Sequence, residues 1–248
     1  MYQEQRLNKI LELLAEKRQL SAKEMVDYFH VSKDTIRRDF AILSERKLVQ
    51  RTHGGILPLE NKQQILSFND RSKKFTKEKR KIAQKAYELI EEEQLLYFDV
   101  STIILQLAQL MNQKNTIYSH SLDNAIMLSG QKQIDFHLLG GKFYPKNRFY
   151  YSINETELLE HLQFDIAFFG AASLKNGQVS YEDAEDAYIK KLVMQHSQTK
   201  VLLAEQEKWQ KNSNYILSDI SSFDYWITDQ KPTTEIKTLL PDTLKIIY

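Results

Sequence analysis

Two short stretches decide the fold of the first part of this chain: residues 31–40, which read VSKDTIRRDF, and residues 51–55, which read RTHGG. Ser32 is a favoured residue type at the position before a helix, where its side chain accepts a hydrogen bond from the backbone. Ile36 and Phe40 stand four residues apart, so they share one face of that helix. The first stretch therefore predicts a helix that opens at Ser32 and buries this face.

A second helix is predicted directly before this one. Ser21 with Glu24 three residues later is the pattern of a capping box at a helix start. His30 and Val31 leave room for only a tight turn, and residues 3–16 carry leucine and isoleucine at helical spacing. The pattern therefore predicts three helices, the last two forming a helix-turn-helix.

A small β-hairpin is predicted next. Leu48 and Val49 open a short run within residues 47–56, and Gly54–Gly55 follow a polar stretch. Gly-Gly permits the positive φ angles that tight turns need. The hairpin makes residues 1–57 a predicted winged helix-turn-helix domain.

This arrangement predicts binding to double-stranded DNA, because the second helix of such a motif lies in the major groove with its first residues facing the bases. Arginine makes bidentate contacts with guanine, and a helix start with hydroxyl side chains suits phosphates. The predicted DNA contacts are Ser32, Lys33, Asp34, Thr35, Arg37 and Arg38 in the helix and Arg51, Thr52 and His53 in the hairpin. An arginine pair alone is more often a solvated face, so the prediction depends on the whole ordered set of motifs.

Basic residues are concentrated near the start of the chain. The formal net charge is only +1, yet residues 1–56 carry +3 and residues 61–85 carry +7. A basic end on a near-neutral protein favours a polyanionic partner, with a solvated lysine-rich linker as the alternative for residues 61–85. Residues 58–76 are polar without a clear period and are predicted to be a basic linker.

The composition excludes several classes of protein. The 248 residues are 42% apolar and 27% charged, as in ordinary folded proteins. The absence of Cys excludes disulfides, a cysteine zinc site and a cysteine nucleophile. The sequence contains no run of about 18 apolar residues, so no membrane span is predicted. The first residues lack the apolar core of a signal peptide. We therefore expect a cytoplasmic protein with no membrane partner and no cofactor.

From residue 77 to residue 248 short apolar runs alternate with helical patterns. The predicted strands are 95–98, 116–118, 136–139, 165–169, 200–204 and 225–228, and the predicted helices are 78–92, 102–111, 122–129, 155–162 and 184–197. Such alternation is typical of a mostly parallel sheet with helices on both faces. The predicted fold class is α/β, with an all-α/winged-helix N-terminal domain and a C-terminal sheet sandwiched by helices.

The ordered motifs closely resemble those of the DeoR family of bacterial transcription regulators. That family carries Val-Ser-x-x-Thr-Ile-Arg-Arg-Asp-Leu, matched here by residues 31–40 with Phe40 for Leu, and then Arg-x-His-Gly-Gly, matched by residues 51–55. The resemblance extends over nearly the whole chain. It implies a repressor of a carbohydrate-metabolism operon that binds operator DNA and is released by a phosphorylated sugar or related metabolite. Because paired helix-turn-helix modules read two-fold operators, we also expect a homo-oligomer (a dimer or higher).

The resemblance also implies an effector site in a C-terminal sensor domain similar to sugar-phosphate isomerases and coenzyme A transferases. Strand ends and helix starts meet at one edge of such a sheet, where free N–H groups favour a phosphate. The implied effector-binding residues are Asp99, Ser101, Thr102, Gly140, Gly141, Lys142, Gly170 and Lys208. On local evidence alone, Asp99 and Ser101 equally fit a helix cap, and Lys208 fits a solvated cation.

Several positions depart from the family pattern. Val100 and Ser152 stand where the family has glycine, and His120 where it has asparagine. Glu205 and Glu207 replace an aspartate and a hydroxyl residue just before the lysine of the site, and we expect Glu207 in particular to add negative charge there. A close carboxylate weakens anion binding by about 1–4 kcal/mol. A regulator with an altered or ligand-dead pocket is therefore the alternative.

An enzyme acting on sugar phosphates is a further alternative. An isomerase needs a base near the substrate C–H bond, and Asp99, Glu182, Glu185 and Asp186 are available. None of the motifs requires turnover, and residues 182–186 also fit the start of a helix, so no catalytic residue is predicted. The six histidines lack metal-ligand spacing, so no metal site is predicted.

Overall fold

The structure of the protein, a computed structural model, describes residues 3–17, 19–46, 48–52, 54–58 and 76–248. The chain divides into two units, residues 1–65 and 66–248. Most of the predicted linker and the predicted DNA contact His53 lie outside the described residues. None of the helices in the described part of the chain is long and apolar enough to cross a membrane.

The first unit consists of three helices and three short strands. The helices are α1 (Gln3–Lys17), α2 (Ala22–Phe29) and α3 (Lys33–Glu45), and the strands are β1 (Leu20–Ser21), β2 (Val49–Arg51) and β3 (Gly55–Pro58). The strands pair antiparallel in the order β1-β3-β2. The predicted hairpin is therefore present, and the residues before α2 add a third strand to it.

The helix starts of this unit follow the predicted capping chemistry. Ser21 and Glu24 form the capping box of α2, and Ser32 caps α3 by accepting a hydrogen bond from the backbone N–H of Thr35 at 3.1 Å. His30 ends α2 in the left-handed region with a φ of 52°. A compact turn between the two helices follows, because this backbone reverses the chain within a few residues.

The expectation of positive φ angles at Gly54–Gly55 is wrong, since neither residue adopts one. Gly55 is needed for a different reason. A Cβ atom at Gly55 would lie 2.1 Å from the carbonyl oxygen of Leu20 on the neighbouring strand β1, whereas a Cβ at Gly54 meets no atom of the described residues within 4 Å. Glycine at position 55 therefore allows the close pairing of β1 with β3.

The second unit is built on a parallel sheet. Its strands are β4 (Leu95–Phe98), β5 (Asn115–Ser119), β6 (Ile134–Leu138), β7 (Lys142–Tyr144), β8 (Phe149–Tyr151), β9 (Phe164–Phe169), β10 (Gln178–Tyr181), β11 (Ser197–Leu203), β12 (Tyr215–Asp219), β13 (Tyr225–Ile227) and β14 (Lys245–Ile247). Its helices are α4 (Lys77–Tyr87), α5 (Thr102–Leu110), α6 (Leu122–Leu128), α7 (Ile153–Leu159), α8 (Ala184–Gln195) and α9 (Thr234–Lys237).

Seven of these strands form the main sheet in the order β14-β13-β11-β9-β4-β5-β6, with all neighbours parallel. The pairs β7–β8 and β10–β12 form two small antiparallel sheets, which the sequence patterns did not predict. Helix α4 ends at Tyr87, earlier than the predicted residue 92, and Ile90 beyond its end is buried in the core. The predicted α/β class with a winged-helix domain is confirmed.

The main sheet is buried on both faces because its central strands alternate between two apolar cores. Leu96 and Phe98 pack into the core that also contains α4 and α5, while Tyr97 between them packs into the core that contains α8. Strand β9 alternates in the same way at Ile166 and Ala167. A strand with period-2 side chains and apolar residues at every position is the signature of a sheet covered on both sides.

Candidate functional site

Helix α3 presents a basic surface on the face opposite its buried side. Lys33, Asp34, Arg37 and Arg38 are exposed, whereas Ile36 is buried. Neither arginine forms an ion pair with another described residue. Two guanidinium groups are therefore available on the part of a helix-turn-helix that enters the major groove.

Among the other predicted DNA contacts, some side chains are engaged in hydrogen bonds within the protein and others are exposed. The Ser32 hydroxyl is engaged in the cap of α3 and also lies 2.9 Å from the Thr35 hydroxyl. Arg51 and Thr52 are exposed at the end of β2. The hydroxyls of Ser32 and Thr35 therefore hold the start of α3 in place, and the exposed side chains of β2 extend the polar surface.

A buried ion pair fixes α3 against α1. The Arg6 guanidinium donates two hydrogen bonds to the Asp39 carboxylate, from Nε at 2.5 Å and from Nη2 at 3.1 Å. Asp39 is fully buried, and Gln3 Nε2 donates a further hydrogen bond at 3.3 Å. Sequence reasoning missed this role, although Asp39 stands three residues after Ile36 on the buried face. The pair orients the helix that carries Arg37 and Arg38.

The second unit contains a cavity of about 70 Å³ at the carboxyl ends of β4, β9 and β11. The residues that line it come from helices α4, α5 and α8, from strands β10 and β11, and from the loops and turns that connect the elements. They are Lys79, Val100, Ser101, Thr102, Ile103, Asn147, Ala171, Ala172, Tyr181, Glu182, Asp186, Lys190, Leu203, Glu205 and Lys208. Known ligand pockets commonly enclose about 300–1,000 Å³, so a ligand the size of a sugar phosphate requires lining side chains to move.

The sequence-predicted effector residues are distributed unevenly around this cavity. Ser101, Thr102 and Lys208 line it. Asp99 is buried next to it and accepts a hydrogen bond from the Gly170 N–H at 2.8 Å. A Cβ at Gly170 would lie 2.6 Å from the Cβ of Ser101, so glycine allows β9 to approach the turn after β4.

Besides Asp99 and Gly170, three further sequence-predicted residues, Gly140, Gly141 and Lys142, are not among the residues that line this cavity. Gly141 has a φ of 118°, and a Cβ there would lie 2.3 Å from the Tyr151 carbonyl oxygen, so backbone conformation and close packing both require glycine. The exposed Lys142 ammonium lies 5.0 Å from the ring centroid of Tyr144. The structure therefore separates these residues from Ser101, Thr102 and Lys208.

A buried network of charged side chains forms one wall of the cavity. The Lys190 ammonium lies 2.9 Å from Asp99 Oδ1 and 2.6 Å from Asp186 Oδ2, and 3.5 Å from the ring centroid of Tyr181. His120 connects Asp186 Oδ1 to the Tyr97 hydroxyl, with both distances 2.8 Å. The two carboxylates of this network therefore both face the Lys190 ammonium, and Asp186 also contacts the His120 ring.

Burial and the charges within the network shift the pKa values of its two carboxylic acids in opposite directions. Burial raises the pKa of Asp99 despite the attraction of Lys190. Burial acts in the same direction on Asp186, but Lys190 and His120 outweigh it and lower the pKa of Asp186. Asp186 therefore retains its charge more firmly than Asp99, and the Lys190–Asp186 pair is the electrostatic centre of the wall.

Asp99, His120 and Asp186 bring three potential metal-ligand atoms within 4.8 Å of one another. The Lys190 ammonium already bonds both carboxylates. A metal ion there would meet the repulsion of that cation or have to displace it. The chemistry of the cluster therefore fits an internal ammonium better than a divalent metal.

A second ion pair faces the cavity from α4. Lys79 Nζ donates to the Thr102 hydroxyl at 3.2 Å and lies 3.9 Å from Glu205 Oε1. Burial raises the pKa of Glu205, with nearby Glu207 and Asp229 acting in the same direction and Lys79 and Lys208 opposing them.

Glu207, which we expected in particular to add negative charge at the anion site, is not among the residues that line the cavity. Glu207 is exposed, does not line the cavity and lies 4.0 Å from Lys211, because the turn at Gln206–Gln210 directs it outward. Glu205 is the acid of this segment that lines the cavity.

Sequence reasoning missed several lining residues, among them Lys79, Glu182, Asp186 and Lys190 as binding groups. Asp186 and Lys190 carry a usable signal, because an acid and a base four residues apart share one helix face. Lys79 carries none, since it lies within a run of basic residues that resembles a solvated surface.

Comparison with known proteins yields matches over most of the chain. A family model for the DeoR-like helix-turn-helix domain matches residues 6–62, and one for the DeoR C terminal sensor domain matches residues 74–230. The HTH-type transcriptional repressor GlcR of Bacillus subtilis is 32% identical over 97% of this chain and 93% of that protein. The glycerol-3-phosphate regulon repressor of Escherichia coli is 28% identical over 98% and 97%, and the lactose phosphotransferase system repressor of Staphylococcus epidermidis is 28% identical over 90% and 91%.

Proposed function

Since this chain belongs to the DeoR family of transcription regulators, we propose that it represses a carbohydrate-metabolism operon and leaves its operator when a phosphorylated sugar or related metabolite binds. The chain is a transcription regulator and not an enzyme. Its relatives include repressors of a glycerol-3-phosphate regulon and of a lactose phosphotransferase system, which supports a phosphorylated effector.

The exposed arginine pair of α3 is the observation that carries the DNA-binding part of the proposal. Arg37 and Arg38 stand on a helix that is capped at Ser32 and anchored by Asp39, so they are presented on a rigid element. Arg51 and Thr52 in the wing, together with the remaining α3 residues, supply contacts to the DNA backbone. We place His53 in the same group on its sequence motif alone.

Operator binding is tested with genomic fragments selected by the wild-type protein. We expect Arg37→Ala and Arg38→Ala each to weaken binding to the selected fragment by about tenfold or more, because a bidentate base contact contributes about 1–3 kcal/mol. Lys9→Ala on α1 is the matched control, since it removes a cation outside α3. Wild-type affinity in both arginine variants would overturn the assignment of α3 as the recognition helix.

The cavity at the carboxyl ends of β4, β9 and β11 is the proposed effector site. The start of α5 at Ser101 and Thr102 offers a positive helix end, and Lys79 and Lys208 add cations. Asp99 and Gly170 support this edge from beneath, whereas Gly140, Gly141 and Lys142 would act in a different part of the unit.

Effector binding is tested by a thermal-shift screen with hexose and pentose phosphates and their free sugars. A ligand at about 100 times its dissociation constant stabilises the protein by about 2.7 kcal/mol. We expect shifts with phosphates and none with free sugars. No shift with any compound would favour the alternative of an altered or ligand-dead pocket, for which Glu205 is the specific observation.

We also propose that the protein binds DNA as a homo-oligomer, because paired helix-turn-helix modules read two-fold operators. Sedimentation equilibrium gives the mass directly, to be compared with 29.2 kDa for one chain. A mass of one chain at the concentrations that bind operator would contradict this part of the proposal.

A further inference from the structure

Glu182 directly follows β10, and only one of its two carboxylate oxygens has a partner among the described residues. Its side chain lines the cavity and is 7% exposed. Oε2 lies 3.4 Å from the Lys146 ammonium and 3.4 Å from Asn147 Nδ2. Oε1 is buried with no hydrogen-bond partner among the described residues. A buried acceptor without a donor is unfavourable, which indicates that a donor from outside the protein completes this site.

Each oxygen of the other two buried carboxylates beside the cavity has a hydrogen-bond or ionic partner within the protein. Asp186 bonds His120 through Oδ1 and Lys190 through Oδ2. Asp99 faces Lys190 through Oδ1 and accepts from Gly170 N–H through Oδ2. Glu182 therefore differs from both, because its Oε1 has no partner among the described residues and can accept a hydrogen bond from a ligand.

The charges that line the cavity indicate which functional groups the ligand carries. Lys79, Lys208 and the start of α5 suit an anionic group. An ionised carboxylate can only accept hydrogen bonds, so Glu182 repels an anion and suits a hydroxyl donor. A ligand that satisfies both parts of the cavity carries an anionic group and at least one hydroxyl.

We propose that Glu182 is a specificity-determining residue whose Oε1 accepts a hydrogen bond from a hydroxyl of the effector. The cavity then selects a polyhydroxylated phosphate over a bare phosphate ion. This inference rests on the proposed effector site and adds the residue that reads the sugar part of the ligand.

Isothermal titration calorimetry of the full-length protein tests the proposal with inorganic phosphate, glucose 6-phosphate, fructose 6-phosphate, ribose 5-phosphate and glycerol 3-phosphate. We expect Glu182→Ala to weaken the tightest-binding phosphate ester by about tenfold or more, as for a hydrogen bond to a charged group. Its affinity for inorganic phosphate should stay the same or increase, because that ion brings no sugar hydroxyl to Oε1 and the variant removes a negative charge.

Glu182→Gln covers the case in which the alanine variant fails to fold. Lys146 favours the amide oxygen on its side, so the amide NH2 takes the place of Oε1 and can no longer accept. The amide can still donate to the oxygen of the same hydroxyl, so we expect a smaller but still selective loss of affinity for the phosphate ester. Glu160→Gln is the matched control, since it makes the same replacement at an exposed glutamate that does not line the cavity.

The outcomes separate this inference from the function on which it rests. A selective loss for the ester supports the inference. An ester affinity that is unchanged, or that falls by the same factor as that of inorganic phosphate, overturns it and leaves Glu182 as a partner of Lys146 and of bound water. A wild-type protein that binds none of these esters overturns the proposed effector class and the inference together.

Discussion

Asp39 has a large expected effect on the stability of the DNA-binding unit. Its carboxylate is fully buried against the Arg6 guanidinium. We expect Asp39→Ala to lower the free energy of unfolding of this unit by about 3–5 kcal/mol, because the change leaves a cation buried opposite a cavity. Urea denaturation with hydrogen exchange of α1 and α3 measures this.

The exposed Arg46–Glu4 pair provides the control for Asp39. Its side chains are 48% and 65% exposed, and exposed ion pairs contribute little, so Glu4→Ala should destabilise the unit far less than Asp39→Ala does. Equal effects of Asp39→Ala and Glu4→Ala would contradict the structural role of the buried pair.

Glu205 is expected to govern how anion binding depends on pH. Burial raises the pKa of Glu205, so the carboxylate takes up a proton at a higher pH than an exposed glutamate does. Its repulsion of an anion is therefore present above the raised pKa and is lost as the pH falls through it. We expect Glu205→Gln to bind sulfate about fivefold or more tightly at neutral pH, which corresponds to about 1 kcal/mol.

Sulfate is the suitable probe because its charge stays constant between pH 5 and pH 8, unlike that of phosphate. The difference in sulfate affinity between wild type and Glu205→Gln should shrink as the pH falls. Glu160→Gln serves as the control, with an expected difference close to zero, because Glu160 is an exposed acid that does not line the cavity. A gap that stays constant across this range would show that Glu205 does not titrate at the site.

Among the elements, the pairing of β1 with β3 depends on a single glycine. We expect Gly55→Ala to destabilise the first unit by about 1–3 kcal/mol, because its methyl group would overlap the Leu20 carbonyl oxygen and push the strands apart. Gly54→Ala is the matched comparison, since its methyl group meets no atom within 4 Å in the part of the chain that the structure describes. Thermal unfolding and operator affinity both report the effect, and similar losses in the two variants would rule out the steric explanation.

The elements also illustrate how far sequence patterns reach. Ser21, Glu24 and Ser32 signal helix starts through local hydrogen bonds, and the structure has those caps. The two-residue strand β1 and the pairs β7–β8 and β10–β12 have no comparable signal, since strands of two to five residues carry too few alternations to be distinguished from loops.

For the whole molecule, the concentration of positive charge near residues 61–85 predicts a strongly salt-dependent affinity for DNA of any sequence. We expect the triple variant Lys77→Gln, Arg80→Gln and Lys81→Gln to weaken binding to all fragments. The slope of log K against log salt should flatten by about 0.9 for each phosphate that the variant no longer neutralises. Fluorescence anisotropy over a salt series measures the slope.

A second triple variant distinguishes local from net charge. Lys132, Lys237 and Lys245 are exposed cations of the second unit, and their replacement by glutamine removes the same total charge. We expect this variant to retain the wild-type slope. If both triple variants flatten the slope equally, net charge accounts for the effect and the basic segment has no special role.

The amino-acid sequence by itself determined the fold class, the helix-turn-helix and the family, because helix caps, hydrophobic periods and short motifs depend on residues close together in the chain. It also indicated Ser101, Thr102 and Lys208. Only the tertiary structure decided which charges meet. Lys79, Glu182, Lys190 and Glu205 are separated by up to more than a hundred residues in sequence, and the parallel sheet brings them to one cavity. Ion pairing and burial follow from distance in space, which no local pattern encodes.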